Sequence, residues 1–287
     1  MARLRAFPFL ALFLLAMPAW GQVPRVRADA NPPVEDLFKA PSIITIQSVT
    51  GLPARNLNVT IHHAFARVNA GAKGLFGLDG PANIRIGIDI GLTDWLSVGV
   101  GRSRFDRQYD LRSKITVLRQ RQNDSMPVQV AVTGNAAITT VSSEEMDFVD
   151  RMSYGGALLI ARRFSDRVSL QVAPMIGHAN TVFVQRAPNG ILTPENTVFA
   201  VGLGAQVQVS SYFSLLAEYV PVVGPRSDGT ANAMAVGLAI DTGGHVFQLF
   251  MSGSPYAVEQ QTIGQNSDNF FEGDIRFGFT VNRVFGL

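Results

Sequence analysis

The chain has 287 residues, with 24 Lys and Arg against 22 Asp and Glu, and no cysteine. The missing cysteines exclude disulfides and thiolate metal sites, and the near-even charge excludes the basic footprint of a nucleic-acid partner. Charged residues make up only 16% of the chain, below the ~25% usual for soluble domains, so part of the surface is expected to meet something other than water.

The first residues read as an export signal. Arg3 and Arg5 precede the apolar run Ala6–Met17, and Ala19 and Gly21 supply the small residues of a cleavage site. This predicts a signal peptide over 1–21, cut before Gln22. The apolar run is shorter than the ~20 residues a spanning helix requires. Cleavage takes away Arg3 and Arg5 and leaves 22 basic against 22 acidic residues. Residues 22–53 are a Pro- and charge-containing N-terminal segment. They read as a flexible lead-in, in which Ser42–Thr50 ("SIITIQSVT") forms one short strand or the segment serves as a plug.

From residue 54 to 287 the chain alternates with period two. Leu57, Val59, Ile61 and Phe65 alternate with Asn58, Thr60, His62 and Ala64. In "NIRIGIDIGLTDWLSVGVGRS" (Asn83–Ser103) Ile84, Ile86, Ile88 and Ile90 oppose Arg85, Gly87 and Asp89, and the rhythm resumes after Thr93-Asp94. Strands of the same kind are read at 109–117, 128–138, 152–160, 168–176, 199–209, 213–219, 234–240, 247–251 and 275–281, twelve in all. Most are near the ~9–11 residues of a tilted membrane strand rather than the ~5–6 of a soluble one. Short turns at Thr93-Asp94, 165–167, 210–212 and 242–244 alternate with mostly longer links. That asymmetry belongs to outer-membrane barrels. Three short turns share a pattern, "LTDWLSV", "FSDRVSL" and "VSSYFSL", read as one kind of tight turn and not as a repeat. Trp95, Phe164, Tyr212, Phe213 and Phe247 fall near this end, and Phe65, Phe105, Tyr109, Tyr154, Phe199 and Tyr219 near the other, as two headgroup-level belts require.

The expected fold is therefore all-β, a transmembrane antiparallel up-and-down β-barrel of about twelve strands, located in the bacterial outer membrane. Ile86, Leu170, Leu203 and Phe279 are expected to face lipid, and Arg85, Gln171, Gln206 and Arg276 the interior. The last strand resembles the C-terminal signature of such barrels, so outer-membrane lipid and the barrel-insertion machinery, reading Phe277, Phe279 and Phe285, are the expected partners.

The inward row is the candidate functional surface. Arg85, Asp89, Asp110, Arg112, Lys114, Gln206, Glu218, Asp241 and Arg276 are the candidate lumen-lining residues, interspersed with glycines such as Gly177, Gly202, Gly204 and Gly237. Two outcomes stay open: a closed network of ion pairs and amides, or a narrow aqueous conduit in the space the glycines leave. With the short turns taken as periplasmic, Arg85, Asp110, Arg112, Lys114, Glu218 and Arg276 are expected in the outer half of the interior, with Asp89 and Asp241 nearer the periplasm. Four basic and two acidic residues would then make an open bore prefer small anions.

Several stretches resemble a family of exported bacterial β-barrel proteins with a domain of unknown function. They are "GLDGPANIRIGIDIGLTDWLSVGVGRS" (Gly77–Ser103), "RMSYGGALLIARRFSDRVSLQVAP" (Arg151–Pro174), "DTGGHVFQLF" (Asp241–Phe250) and "GDIRFGFTVNRVF" (Gly273–Phe285). The resemblance implies an outer-membrane barrel and no established reaction, cofactor or catalytic residue.

Sites of chemistry are sparse. Of the four histidines, His62, His63, His178 and His245, none is followed by Ser two residues on, as a barrel lipase would need. His62 and His63 are adjacent in a strand and point to opposite faces, so they do not share a metal ion. Glu144, Glu145, Asp147 and Asp150 read as a solvated acidic loop without the spacing of a calcium site. The "GxG" pieces at Gly99–Gly101 and Gly202–Gly204 lie inside strands and open no helix. The leading expectation is a non-enzymatic outer-membrane barrel without cofactor, either a small-solute channel or a structural barrel. A barrel enzyme acting on lipid or envelope polymer, and a soluble exported β-sandwich, are the alternatives.

Overall fold

The computed structural model describes residues 31–141, 146–182, 186–187, 190–191 and 195–287. The predicted signal peptide and Glu144-Glu145 lie outside the described residues. Twelve long strands follow one another: β1 (Asn56–Arg67), β2 (Asn83–Gly91), β3 (Leu96–Ser103), β4 (Gln108–Leu118), β5 (Gln129–Thr139) and β6 (Met152–Arg163). They continue as β7 (Val168–Ala179), β8 (Thr197–Gln208), β9 (Phe213–Val220), β10 (Ala233–Asp241), β11 (His245–Ser252) and β12 (Arg276–Gly286). Each pairs antiparallel with its neighbours in the sequence. The ring closes where β1 meets β12, from Asn56 opposite Gly286 to Arg67 opposite Arg276. Closure leaves no sheet edge, which is what allows strands to sit in hydrocarbon with every peptide group paired. Β9 is extended by Val222 and Val223 after Pro221, whose carbonyl accepts from the Val201 amide at 3.0 Å.

Side chains divide by parity. Ile86, Leu111, Leu170, Leu203 and Phe199 stand exposed on the outside, while Asn58, His62, Arg85, Gln171 and Gln206 are buried within. An outer surface of large apolar residues around a polar inside is the inverse of a soluble sandwich and suits a lipid solvent. Aromatic rings at the rims carry arginines over their faces: Arg102 over Tyr109 at 5.5 Å, Arg162 over Phe164 at 5.3 Å and Arg283 over Phe285 at 5.1 Å.

The shared turn pattern has a physical cause. Thr93 Oγ1 accepts from the amides of Trp95 (3.3 Å) and Leu96 (3.0 Å). Ser165 Oγ accepts from Arg167 (3.3 Å) and Val168 (3.2 Å), and Ser210 Oγ from Tyr212 (3.3 Å) and Phe213 (3.2 Å). One hydroxyl thus satisfies the two amides that a tight reversal frees.

The largest departure from the sequence reading concerns the inside. Residues 33–53 make no long strand; they enter the barrel from the short-turn end, reverse at Ser42–Gln47 and return to β1. A single bridge pairs Ser42 with Gln47 where a strand over Ser42–Thr50 was expected. From the opposite end, the link between β11 and β12 folds inward and carries a short helix, α1 (Glu259–Gly264), with Glu259 to Ile263 all buried. The core of the molecule is therefore inside the ring. Leu37, Phe38, Ile43, Ile46 and Val49 of the plug pack with Ile263 of α1 against Ala131, Ala157, Ala161, Ala173 and Ala200 of the wall. Ile44 packs against Leu216, Ala235, Ala239 and Phe250. Each such buried side chain contributes ~1.5–3 kcal/mol.

The outward parity has a direct test. Ile86→Arg is expected to lower the stability of the reconstituted barrel by ~2–4 kcal/mol, the cost of arginine near the bilayer midplane. Reversible denaturant unfolding in lipid vesicles reads this, and an unchanged midpoint would place Ile86 away from lipid.

Candidate functional site

The bore is built by strands that present small or long polar residues inward. On β5 to β8 and on β10 alanine and glycine recur at inward positions, and the room they leave is occupied. A Cβ on Gly204 would collide with Ile43 Cδ1; one on Gly202 would lie 3.0 Å from Ile46 Cδ1, and one on Gly177 2.9 Å from Ile263 Cδ1. These glycines admit the plug and α1, so of the two outcomes left open the aqueous conduit is not what their space forms.

The polar residues hold the plug's backbone. Lys114 Nζ donates to the carbonyls of Pro41 (2.9 Å), Ser48 (2.7 Å) and Thr50 (2.8 Å). The Glu218 carboxyl accepts from the amides of Ile44 (3.0 Å) and Thr45 (2.9 Å) and from the Thr45 hydroxyl at the tip of the reversal. Gln171 accepts from the Val49 amide (2.7 Å) and donates to the Gln47 carbonyl (2.8 Å), as a neighbouring strand would. Gln206 accepts from the Lys39 amide (3.1 Å), and Gln248 donates to the carbonyls of Ser42 (3.1 Å) and Ile43 (2.6 Å). Buried peptide groups without partners are costly, and these side chains supply the partners.

The remaining charges pair with one another. Arg85 on β2 meets Asp110 on β4 through two bonds of 2.9 and 2.6 Å, and Arg112 meets Asp89 at 2.7 and 2.9 Å. Both pairs cross over β3, whose inward residues there are Gly99 and Gly101. A Cβ on either would strike the Asp89 carboxylate or the Arg85 guanidinium. Asp241 pairs with Lys39 of the plug at 3.4 Å. Arg276 and Arg67 both bind Asp268 of the β11–β12 link, and Arg67 also reaches Asp274 at 3.1 Å. His62 lies inside, stacked on Phe250 at 5.1 Å with Nδ1 2.9 Å from Thr280 Oγ1, while His63 packs outside on Phe65 and Phe279. His178 is engaged by Thr197 at 2.7 Å.

Two expectations about charge are corrected here. Lys114 lies opposite Ser97 on β3, near the short-turn end, and Arg112 is level with Asp89, so neither belongs to the outer half. The predicted excess of positive charge is also absent, because Arg85 and Arg112 are each matched by a carboxylate and Arg276 shares Asp268. Sequence reasoning does not reach Lys39, Glu259 or Asp268, which lie outside the alternating strands.

Plug and inward link meet at Glu259. Its carboxyl accepts from the Gln47 amide (3.0 Å) and from Asn135 Nδ2 (3.3 Å). Burial pushes it above the ordinary carboxylate range, against the hydrogen bonds from Gln47 and the charges of Lys114 and Arg112. Between plug, wall and α1 a polar gap of about 50 Å³ remains, lined by Thr60, His62, Asp89, Arg112 and Glu259 among others. It is of a size for a few water molecules.

Lys114→Met is expected to weaken docking of the plug by ~2–4 kcal/mol, since it strands three buried carbonyls, while the wall stays folded. Amide hydrogen exchange reads this as faster exchange at 43–49 with unchanged protection in β6 to β8. Equal loss of protection in plug and wall would instead make the two one cooperative unit.

Residues 38–285 match the family model described as membrane bound beta barrel domain (DUF5777). No curated protein matches the sequence. Among solved structures, the chain is similar to the NanC porin in a rhombohedral crystal form, with 8% identity, a TM-score of 0.49, and 80% of this chain and 99% of that one covered. The KdgM porin shows 8% identity and a TM-score of 0.47 over the same shares, and the outer membrane protein Omp33 of Acinetobacter baumannii 10% and 0.42 over 82% and 100%. The closed ring of twelve strands and the family match over most of its length agree: the chain belongs to the membrane-bound β-barrel domain family.

Proposed function

We propose that the protein is a non-enzymatic outer-membrane barrel, a narrow small-solute channel held shut by its own N-terminal segment. The observation that carries this reading is the wall of β5 to β10. Its alanines and glycines enclose a lumen wide enough for a doubled stretch of chain, and that stretch is covalently joined to the wall only at β1. A barrel that serves only as a scaffold is filled by its own wall side chains, as in small eight-stranded barrels. Here the filling is removable: no strand-to-strand ladder passes through the plug, so its withdrawal leaves the ring intact. Outer-membrane placement is supported by the short-turn and long-loop asymmetry and by the predicted signal peptide.

The second reading, a permanently sealed structural barrel, is favoured by the matched ion pairs Arg85–Asp110 and Arg112–Asp89. Conductance separates the two. In a planar bilayer the mature full-length chain is expected to be closed for most of the time. The double variant Lys114→Met, Glu218→Ala is expected to raise the open fraction at least about tenfold, the effect of some 1.4 kcal/mol on the docked state. Silence of both proteins, with the plug shown to be released by protease cleavage within 31–50, would support the sealed barrel.

A further inference from the structure

Above α1, at the long-loop end, strand ends and loops enclose a second space, a cup of about 260 Å³ whose wall includes Asp106, Gln108, Asp150, Arg151, Ser153 and Tyr256. Small-molecule sites start near ~300 Å³, so the cup suits one small molecule and not a chain. Its floor is the end of α1, at Gly264 and Gln265.

Two independent features give the cup the character of a binding site. The first is an orphaned acceptor. Gln108, at the start of β4, is 4% exposed, and its Oε1 has no hydrogen-bond partner. A buried acceptor without a donor is uncommon in folded proteins, and an N–H or O–H group of a guest would satisfy it. The second is one-sided charge. Asp106 and Asp150 border the cup, and each is engaged through one oxygen only in the bonds it makes there: from Gln261 Nε2 at 2.9 Å and from the Asp147 amide at 3.0 Å. The cation among the lining residues, Arg151, is drawn elsewhere: its guanidinium sits over the Phe148 ring at 5.9 Å and donates to the Asp147 carbonyl at 3.4 Å. Burial pushes the Asp106 carboxyl above its ordinary value, against the Gln261 hydrogen bond, and a positive group beside it would offset that cost. Burial, with Asp106 and Asp268 nearby, pushes the Tyr256 hydroxyl up to about 12, so it keeps its proton and can donate.

We propose that this cup binds a small polar solute that carries an ammonium group and hydrogen-bonding hydroxyls, with Asp106 and Asp150 facing the cation and Gln108 Oε1 accepting from a hydroxyl or amine. Its role as the entry subsite of a passage rests on the channel reading; binding itself does not. The selectivity assigned to the protein thereby changes sign from the anion preference read in the sequence. Arg85 and Arg112 of the bore are paired internally, whereas Asp106 and Asp150 border the cup.

Three pyranoses of one size and different charge test this: glucosamine, glucose and glucuronate, titrated by calorimetry into the full-length protein in detergent at low salt, where exposed charges are least screened. Glucosamine is expected to bind at least about tenfold tighter than glucose, and glucuronate more weakly than both. Asp106→Asn keeps an acceptor for Gln261 and should bring glucosamine down to the level of glucose. Gln108→Leu should weaken glucosamine and glucose alike. If circular dichroism shows Asp106→Asn misfolded, Asp150→Asn carries the same expectation. Glucuronate binding as tightly as glucosamine, or none of the three binding to the folded protein, would overturn the proposal. Binding in that order by a protein that never conducts would reject the channel and leave the cup standing. Conductance blocked equally by all three sugars would reject the cup and leave the channel.

Discussion

Irregular backbone inside a membrane barrel has nowhere to turn for hydrogen bonds except the wall. The strands solve their own problem by closing the ring, and water cannot be relied on at that depth. The plug has only scattered internal bonds, such as Ile43 N to Ile46 O at 2.9 Å and Ser48 N to Pro41 O at 3.0 Å. Its other peptide groups reach side chains that project from the wall. This explains why the inward polar residues include so many long amides and a lysine. Gln129, Gln171, Gln206, Gln248 and Lys114 span the gap from wall to plug, and Glu218 turns three consecutive amides at the tip into one site. It also explains the uneven wall. Where the plug presents Leu37, Phe38, Ile43 and Ile46, the wall recedes to alanine and glycine, and where it presents backbone, the wall extends.

The same constraint decides the electrostatics. A guanidinium buried beside the plug needs a carboxylate at contact distance, because the cost of removing it from water is several kcal/mol. Arg85 and Arg112 therefore sit where β3 carries glycine, so that Asp110 and Asp89 can reach them from neighbouring strands. Charges so matched contribute little field along the bore. At the mouth Asp106 and Asp150 border open space, and the Arg151 guanidinium is occupied with Phe148 and Asp147.

The alternation of Ile84, Ile86, Ile88 and Ile90 against Arg85, Gly87 and Asp89 was enough to read strand, facing and barrel, because a period of two is a local property. The turns were legible for the same reason: Thr93, Ser165 and Ser210 act on amides two and three residues on. That residues 22–53 could plug the ring was one of two readings; which wall residues hold them was not legible. Glu218 meets Ile44 and Thr45, 174 and 173 residues away in the chain, and no local pattern encodes that contact. One signal was present. Ala131, Ala157, Ala173 and Ala200 share the inward parity, and a row of methyl groups is a poor lining for water but a good seat for the isoleucines of "SIITIQSV". The misplacement of Lys114 had another cause: parity says which face a residue takes, whereas its height in the barrel depends on register with β3.

The two fillings differ in how they are tethered. The inward link that carries α1 is fixed at both ends, by β11 and β12, and is pinned at the rim where Arg67 and Arg276 converge on Asp268. It can tilt but not leave. The plug is joined at residue 53–54 alone and is steadied elsewhere by Pro33 and Val34 against the β4–β5 turn, where the Val34 amide donates to Gln120 O at 2.7 Å. Deeper in the ring the plug is held by side chains, and at the centre the Gln47 amide donates to Glu259 at 3.0 Å. Glu259 thus joins the plug, through Gln47, to the wall, through Asn135, and burial pushes its carboxyl above the ordinary range.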